Sequence, residues 1–116
     1  MMQLFQTEWC PSSRRVRQRL TEHGVDYVVR QVPVLKSARH TLKDASGSES
    51  IPALLLDDGT AVTGEAAICA HLDGHFAEPR GAEEQCAKAE FIRRRECREA
   101  LSTLDPTTIP IPEVSR

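Results

Sequence analysis

At 116 residues, with 40% hydrophobic and 28% charged residues and a formal net charge of −2, the chain has the size and balance of one globular domain with a single core. The slight acidic excess argues against general affinity for nucleic acid, and nothing in the composition suggests a membrane role. Four cysteines, Cys10, Cys69, Cys86 and Cys97, include no C-x-x-C pair, and Met1 to Phe5 puts no basic stretch ahead of a long hydrophobic run; both observations predict free thiols in the cytoplasm rather than a disulfide framework or a zinc ribbon.

Met2 to Gln6 suits a short strand, and Thr7-Glu8-Trp9 forms the turn that delivers Cys10. Pro11 fits the first helical position, where its missing N–H costs nothing. A helix follows from Ser13 to His23, with Val16 and Leu20 four apart on its apolar side and Gly24 as its stop. Asp26 to Val32 reads as a strand around Tyr27-Val28-Val29. Lys36 to Ala45 is a weaker helix, ended by Ser46-Gly47-Ser48. Two short strands, Ala53 to Leu56 and Ala61 to Thr63, flank the hairpin signal Asp57-Asp58-Gly59-Thr60. Glu65 to Phe76 is a further helix with Ile68 and Leu72 on one face. Ala82 to Leu104 contains no Pro or Gly and predicts one long helix, while Pro106, Pro110 and Pro112 predict an extended or disordered tail.

The order is βαβα followed by ββα, an α/β arrangement with a four-stranded mixed sheet. A right-handed crossover joins the first two strands, and an antiparallel hairpin with a covering helix completes it. The expected organisation is a domain over residues 1–78, a helical extension over 79–104 and a tail over 105–116.

Cys10 is the most informative residue. It puts one sulfur where a helix begins, with no second cysteine three residues on. A helix N-terminus carries roughly half a positive charge and several unpaired N–H groups, which push a thiol toward the nucleophilic thiolate. The plain alternative is an inert packed thiol.

Three stretches carry a resemblance: Trp9-Cys10-Pro11-Ser12-Ser13-Arg14-Arg15-Val16-Arg17, Ser50-Ile51-Pro52-Ala53-Leu54, and Thr63-Gly64-Glu65-Ala66-Ala67-Ile68 with His71-Leu72-Asp73 after it. Together they resemble glutaredoxins and the N-terminal domain of glutathione transferases over about residues 2 to 76. The all-helical second domain of a full transferase has no counterpart in the residues after Phe76. The resemblance implies a thioredoxin fold with one additional C-terminal helix. It makes Cys10 the nucleophile and puts Ser13 where a two-cysteine glutaredoxin has its resolving thiol. Pro11 and Ser12 then border the thiol site, and Pro52 matches a cis-proline that presents the main chain of Ile51 to an extended thiol peptide. Glu65 and Ala66 match the turn that receives the γ-glutamyl end of glutathione at a helix N-terminus. Plainer readings stand beside these: Pro52 as a strand-start proline, Glu65 as a helix-initiating acid and Ser13 as a first-turn residue.

The activity implied is that of a glutaredoxin-like thiol-disulfide oxidoreductase with one active-site cysteine. Its co-substrate is glutathione or another low-molecular-weight thiol, its further substrates are thiolated proteins, and no metal is involved. Two alternatives stand: a non-catalytic thioredoxin-fold binding module, which as a homodimer would use the last helix, and a glutathione-transferase-like protein that activates glutathione against an electrophile. Thr7 replaces a lysine common near the thiolate, Ala66 a hydroxyl residue and Ser12 an aromatic one. These departures leave mycothiol or bacillithiol open as the small thiol. Arg14, Arg15, Arg17 and Arg19 form a basic face, either solvated or anion-binding. Cys69 reads as a small buried hydrophobe, His71 and His75 lack a third metal ligand, and Cys86 and Cys97 lie too far apart along one helix to bond each other.

Overall fold

The computed structural model describes residues 1–102. The elements in chain order are β1 (Gln3–Gln6), α1 (Pro11–Glu22), β2 (Val28–Gln31), a 3₁₀ turn (Lys36–Ala38), α2 (His40–Ser46), β3 (Ala53–Leu55), β4 (Ala61–Thr63), α3 (Glu65–His75) and α4 (Ala82–Ser102). The strands form one sheet in the order β2-β1-β3-β4, with β1 parallel to β2 and antiparallel to β3, and β3 antiparallel to β4. This is the α/β thioredoxin-like fold with a four-stranded mixed sheet.

Alternation along the two central strands sorts side chains onto two faces. Leu4 and Leu54 join Met2, Val16, Leu20, Ile68 and Leu72 in the core beneath α1 and α3. Their neighbours Phe5 and Ala53 face the other way, with Val32 and Leu42, into a smaller core beneath α2. Val16 and Leu20 on α1, and Ile68 and Leu72 on α3, are all fully buried. Their i, i+4 spacing gives each helix the narrow apolar stripe that packing on a sheet requires.

The local turns follow their chemistry. Gly24 has φ +66 and ends α1 with its N–H on the Thr21 carbonyl. In the β3–β4 hairpin, Gly59 takes φ +89 and Asp58 Oδ1 accepts the Thr60 N–H at 2.9 Å, holding the Asp58 carboxyl below its ordinary range.

Two expectations need adjustment. The strand expected over Asp26 to Val32 is shorter, Val28–Gln31, and sits at the sheet edge. The helix expected over Lys36 to Ala45 is broken at Arg39, whose φ −86 and ψ 54 separate the 3₁₀ turn from α2. The physical reason is the Arg39 side chain, which turns inward to three main-chain carbonyls instead of lying on a helix surface. The long last helix is present as α4, Ala82–Ser102; Leu104 and the tail over 105–116 lie outside the described residues.

The chain divides into two compact units, Met1–Cys86 and Ala87–Arg116. In the second, Glu90–Arg94 and Arg95–Glu99 ion pairs at i, i+4 spacing run along α4.

Candidate functional site

Cys10 is the N-cap of α1. Its backbone is extended, with φ −80 and ψ 118, and Pro11 opens the helix behind it. Its carbonyl accepts the first intrahelical bond, from the Arg14 N–H at 3.1 Å, and its sulfur accepts the Ser13 N–H at 3.4 Å. Ser13 is fully buried, and its hydroxyl oxygen accepts the Thr7 N–H at 3.5 Å. That bond occupies a lone pair on Ser13 Oγ and leaves the hydroxyl proton for the sulfur. Partial burial pushes the Cys10 thiol up, but the Ser13 hydroxyl, the Ser13 and Ser12 N–H groups and the more distant Arg15 together outweigh it, so the thiol ionises below its ordinary value.

The segment before β3 supplies a second part. The Ile51–Pro52 peptide bond is cis and Pro52 is fully buried. The β3 ladder begins at Ala53, so the Ile51 main chain lies outside it. Trp9, Cys10, Lys36, Arg39, Ser50 and Ile51 line one open cleft of about 240 Å³.

The start of α3 supplies a third part. Gly64 has φ +96 and ψ 148, and its N–H donates to the Pro52 carbonyl at 2.9 Å, joining the α3 N-terminus directly to the cis-proline. The first intrahelical bond of α3 runs from the Ile68 N–H to the Gly64 carbonyl, so the N–H groups of Glu65, Ala66 and Ala67 are open to an anion. Ala66 is exposed. The Arg15 guanidinium forks onto Glu65 through Nε and, at 3.0 Å, Nη2. Arg15 and the Ser12 hydroxyl both hold the Glu65 carboxyl below its ordinary value, Arg15 chiefly. Arg15 thus bears on both Cys10 and Glu65, which lie on different helices.

The basic face expected on α1 is largely neutralised. Arg15 pairs with Glu65, Arg17 with Glu8, and Arg19 with Glu22, Asp73 and Glu78. His23, almost wholly buried, joins the last cluster through Nε2 to Asp73 Oδ1 at 2.9 Å. Of these, Arg15–Glu65, Arg19–Asp73 and His23–Asp73 tie the α1 region to α3, while Arg17–Glu8 and Arg19–Glu22 are local to α1 and the turn before it. Cys69 is partly buried against the main core, and burial pushes its thiol up. All four cysteines are free thiols. The His71 and His75 rings stack with centroids 3.9 Å apart. Among the described residues no group of three or more His, Cys, Asp or Glu is placed to hold a metal, and no helix is long and apolar enough to cross a membrane.

The structure brings Cys10, Ser12, Ser13, Ile51, Pro52, Glu65 and Ala66 to one end of the sheet, with Pro11 exposed beside them. Sequence reasoning missed Lys36 and Arg39 in the cleft and the pairing of Arg15 with Glu65. Lys36 and Arg39 lie in a run that reads only as a weak helix, and the ion pair joins residues 50 positions apart.

The family described as glutathione S-transferase, N-terminal domain, matches residues 9–75 of this chain. The chain belongs to that family. Among solved structures, a glutathione S-transferase domain-containing protein from Marinobacter aquaeolei VT8 is 33% identical, with a TM-score of 0.57 over 66% of this chain and 40% of its own. A glutathione transferase family member from Pseudomonas fluorescens Pf-5, with bound glutathione, is 25% identical, with a TM-score of 0.62 over 69% of this chain and 42% of its own. Glutaredoxin 2 from Salmonella typhimurium, in complex with glutathione, is 18% identical, with a TM-score of 0.59 over 68% of this chain and 35% of its own, and shares the fold alone. The glutathione S-transferase family is thus established, and a specifically glutaredoxin identity is not. The chain spans about two-fifths or less of the length of these structures. A comparison with curated proteins finds no match.

Proposed function

We propose that this chain is a glutathione-transferase-type thiol-binding domain that holds glutathione, or a similar low-molecular-weight thiol, beside Cys10 and exchanges it through a mixed disulfide. The observation that carries the reading is the capped Cys10 sulfur, favoured as thiolate and sharing one cleft with Ile51, the residue before the cis-proline. In this reading the Ile51 main chain pairs with the thiol peptide as a short strand, and the open N–H groups at the start of α3 take its carboxylate. Glu65, oriented by Arg15, accepts from its ammonium group. The glutathione bound in the Pseudomonas fluorescens relative supports this class of ligand.

The chemistry follows from one sulfur in the cleft. The Cys10 thiolate attacks the glutathionyl sulfur of a protein mixed disulfide; the new Cys10–glutathione disulfide forms as the old bond breaks, and the protein sulfur leaves as thiolate. A second glutathione thiolate then attacks the glutathionyl sulfur on Cys10, releasing glutathione disulfide and restoring the Cys10 thiolate. Ser13 donates to the sulfur and cannot itself form a disulfide, so the resolving thiol comes from solution. Thiolated proteins are the substrates of this reading, and the cytoplasm, kept reducing, is its compartment.

Family membership favours a second reading in which the site activates glutathione for conjugation to an electrophile. One experiment separates them. Deglutathionylation of a glutathionylated peptide and conjugation of a chlorinated nitrobenzene are measured in parallel for the wild type and Cys10→Ser. Turnover of the peptide that is lost in Cys10→Ser supports thiol exchange. Conjugation without peptide turnover supports the transferase reading, and glutathione binding with neither activity supports a non-catalytic binding module.

A further inference from the structure

Arg39 is 5% exposed, although it lies in a stretch rich in exposed residues. Its Nε donates to the Pro33 carbonyl at 2.8 Å, its Nη1 to the Glu49 carbonyl at 2.8 Å and its Nη2 to the Val34 carbonyl at 3.1 Å. All three partners are main-chain carbonyls. Burying a guanidinium on neutral acceptors alone costs desolvation that a carboxylate partner would offset more fully, so packing stability gives little reason for an arginine here.

The partners define what the residue does. Pro33 and Val34 directly precede the segment that carries Lys36, and Glu49 directly precedes Ser50 and Ile51. One planar fork therefore ties together the two loops that, with Trp9 and Cys10, line the thiol cleft, and Arg39 itself is part of that lining. The 3₁₀ turn and α2 meet at Arg39 itself, the position from which its side chain turns inward.

We infer that Arg39 is a positioning residue of the thiol site: its buried guanidinium sets the spacing between the Lys36 loop and the Ile51 main chain, and so the fit of a peptide thiol opposite Cys10. The inference rests on the reading that Ile51 receives the thiol peptide. Three rigid donors in one plane are the property that matters. Lysine, a point charge on a flexible stem, cannot satisfy the same three carbonyls together. Arg39 is not among the groups that hold the Cys10 thiol below its ordinary value, so its loss should act chiefly on fit and little on ionisation.

The test compares the wild type, Arg39→Lys and Arg39→Met in the reaction of Cys10 with two disulfides, glutathione disulfide and the small non-peptide hydroxyethyl disulfide, across pH. The expected result is a wild-type preference for glutathione disulfide that falls about tenfold in Arg39→Met and by less in Arg39→Lys, as loss of charged hydrogen bonds predicts. The hydroxyethyl disulfide rate falls far less than the glutathione disulfide rate, and the pH midpoint of Cys10 moves little. Variants that keep the full preference overturn the inference while the thiol-exchange reading stands. A parallel fall in both rates with a shifted pH midpoint also overturns it, because that is the signature of general disruption. A wild type with no preference overturns the recognition reading and this inference with it. Thermal unfolding establishes that each variant is folded; if Arg39→Met is not, the preference of Arg39→Lys decides.

Discussion

The Ser13 N–H donates to the Cys10 sulfur at 3.4 Å, which makes the candidate nucleophile the cap of its own helix. Capping and reactivity are therefore one interaction. The negative sulfur satisfies an orphan helix donor, and the donor stabilises the negative sulfur.

Ser13→Ala removes the hydroxyl donor but keeps the N–H, so the Cys10 thiol should ionise at higher pH than in the wild type. The pH dependence of alkylation by iodoacetamide measures this; an unchanged midpoint would remove the hydroxyl from the account. The same ionisation contributes to stability. Because the folded thiol ionises below the unfolded one, its contribution is complete above the ordinary cysteine pKa and is lost as pH falls through the folded value. Cys10→Ser should therefore lose stability relative to the wild type at high pH and much less at low pH.

Arg15 and Glu65 should separate two effects that a single substitution would merge. Glu65→Gln leaves Arg15 in place, so it should weaken glutathione binding roughly tenfold while Cys10 ionisation moves little. Arg15→Ala should weaken binding and also raise the Cys10 midpoint, since Arg15 is one of the groups that favour the thiolate. Titration calorimetry with glutathione, combined with the alkylation profile, distinguishes them. Matching profiles for the two variants would show that Arg15 acts on Glu65 alone.

Gly64→Ala should cost about 1–3 kcal/mol of stability, because φ +96 with ψ 148 is a region that only glycine enters without strain. No neighbouring atom lies within 4 Å of an added Cβ, so the cost is conformational and not steric. The strain falls on the N–H that meets the Pro52 carbonyl, so glutathione affinity should drop as well. Urea denaturation and calorimetry read the two effects; wild-type stability would show that the segment relaxes freely.

Leu54→Ala, at a fully buried position in β3, should destabilise by about 3 kcal/mol through lost burial and the cavity left behind. Leu35→Ala, at a side chain 69% exposed, should change stability little. Paired denaturation curves check the contrast, and equal losses would contradict the assignment of the core.

Much of this protein was legible along the chain. Cys10-Pro11 ahead of a helical stretch, Val16 with Leu20, Ile68 with Leu72 and the Asp58-Gly59 hairpin each depend on neighbours within about four residues, where caps, turns and helical periodicity operate. Those local rules determined the order of elements, and from that order the topology of the mixed sheet. Tertiary structure alone decided where the charges went. The four arginines of α1 read as one basic face, yet three of them are paired: Arg15 meets Glu65, Arg17 meets Glu8, and Arg19 meets Glu22, Asp73 and Glu78. Arg39, inside a stretch that reads only as a weak helix, sits buried on three carbonyls. Periodicity shows which face of an element is apolar, but the partner of a long charged side chain depends on which distant residues the fold brings within a few ångströms. The local pattern therefore placed the sulfur of Cys10, and only the folded chain built the cleft around it.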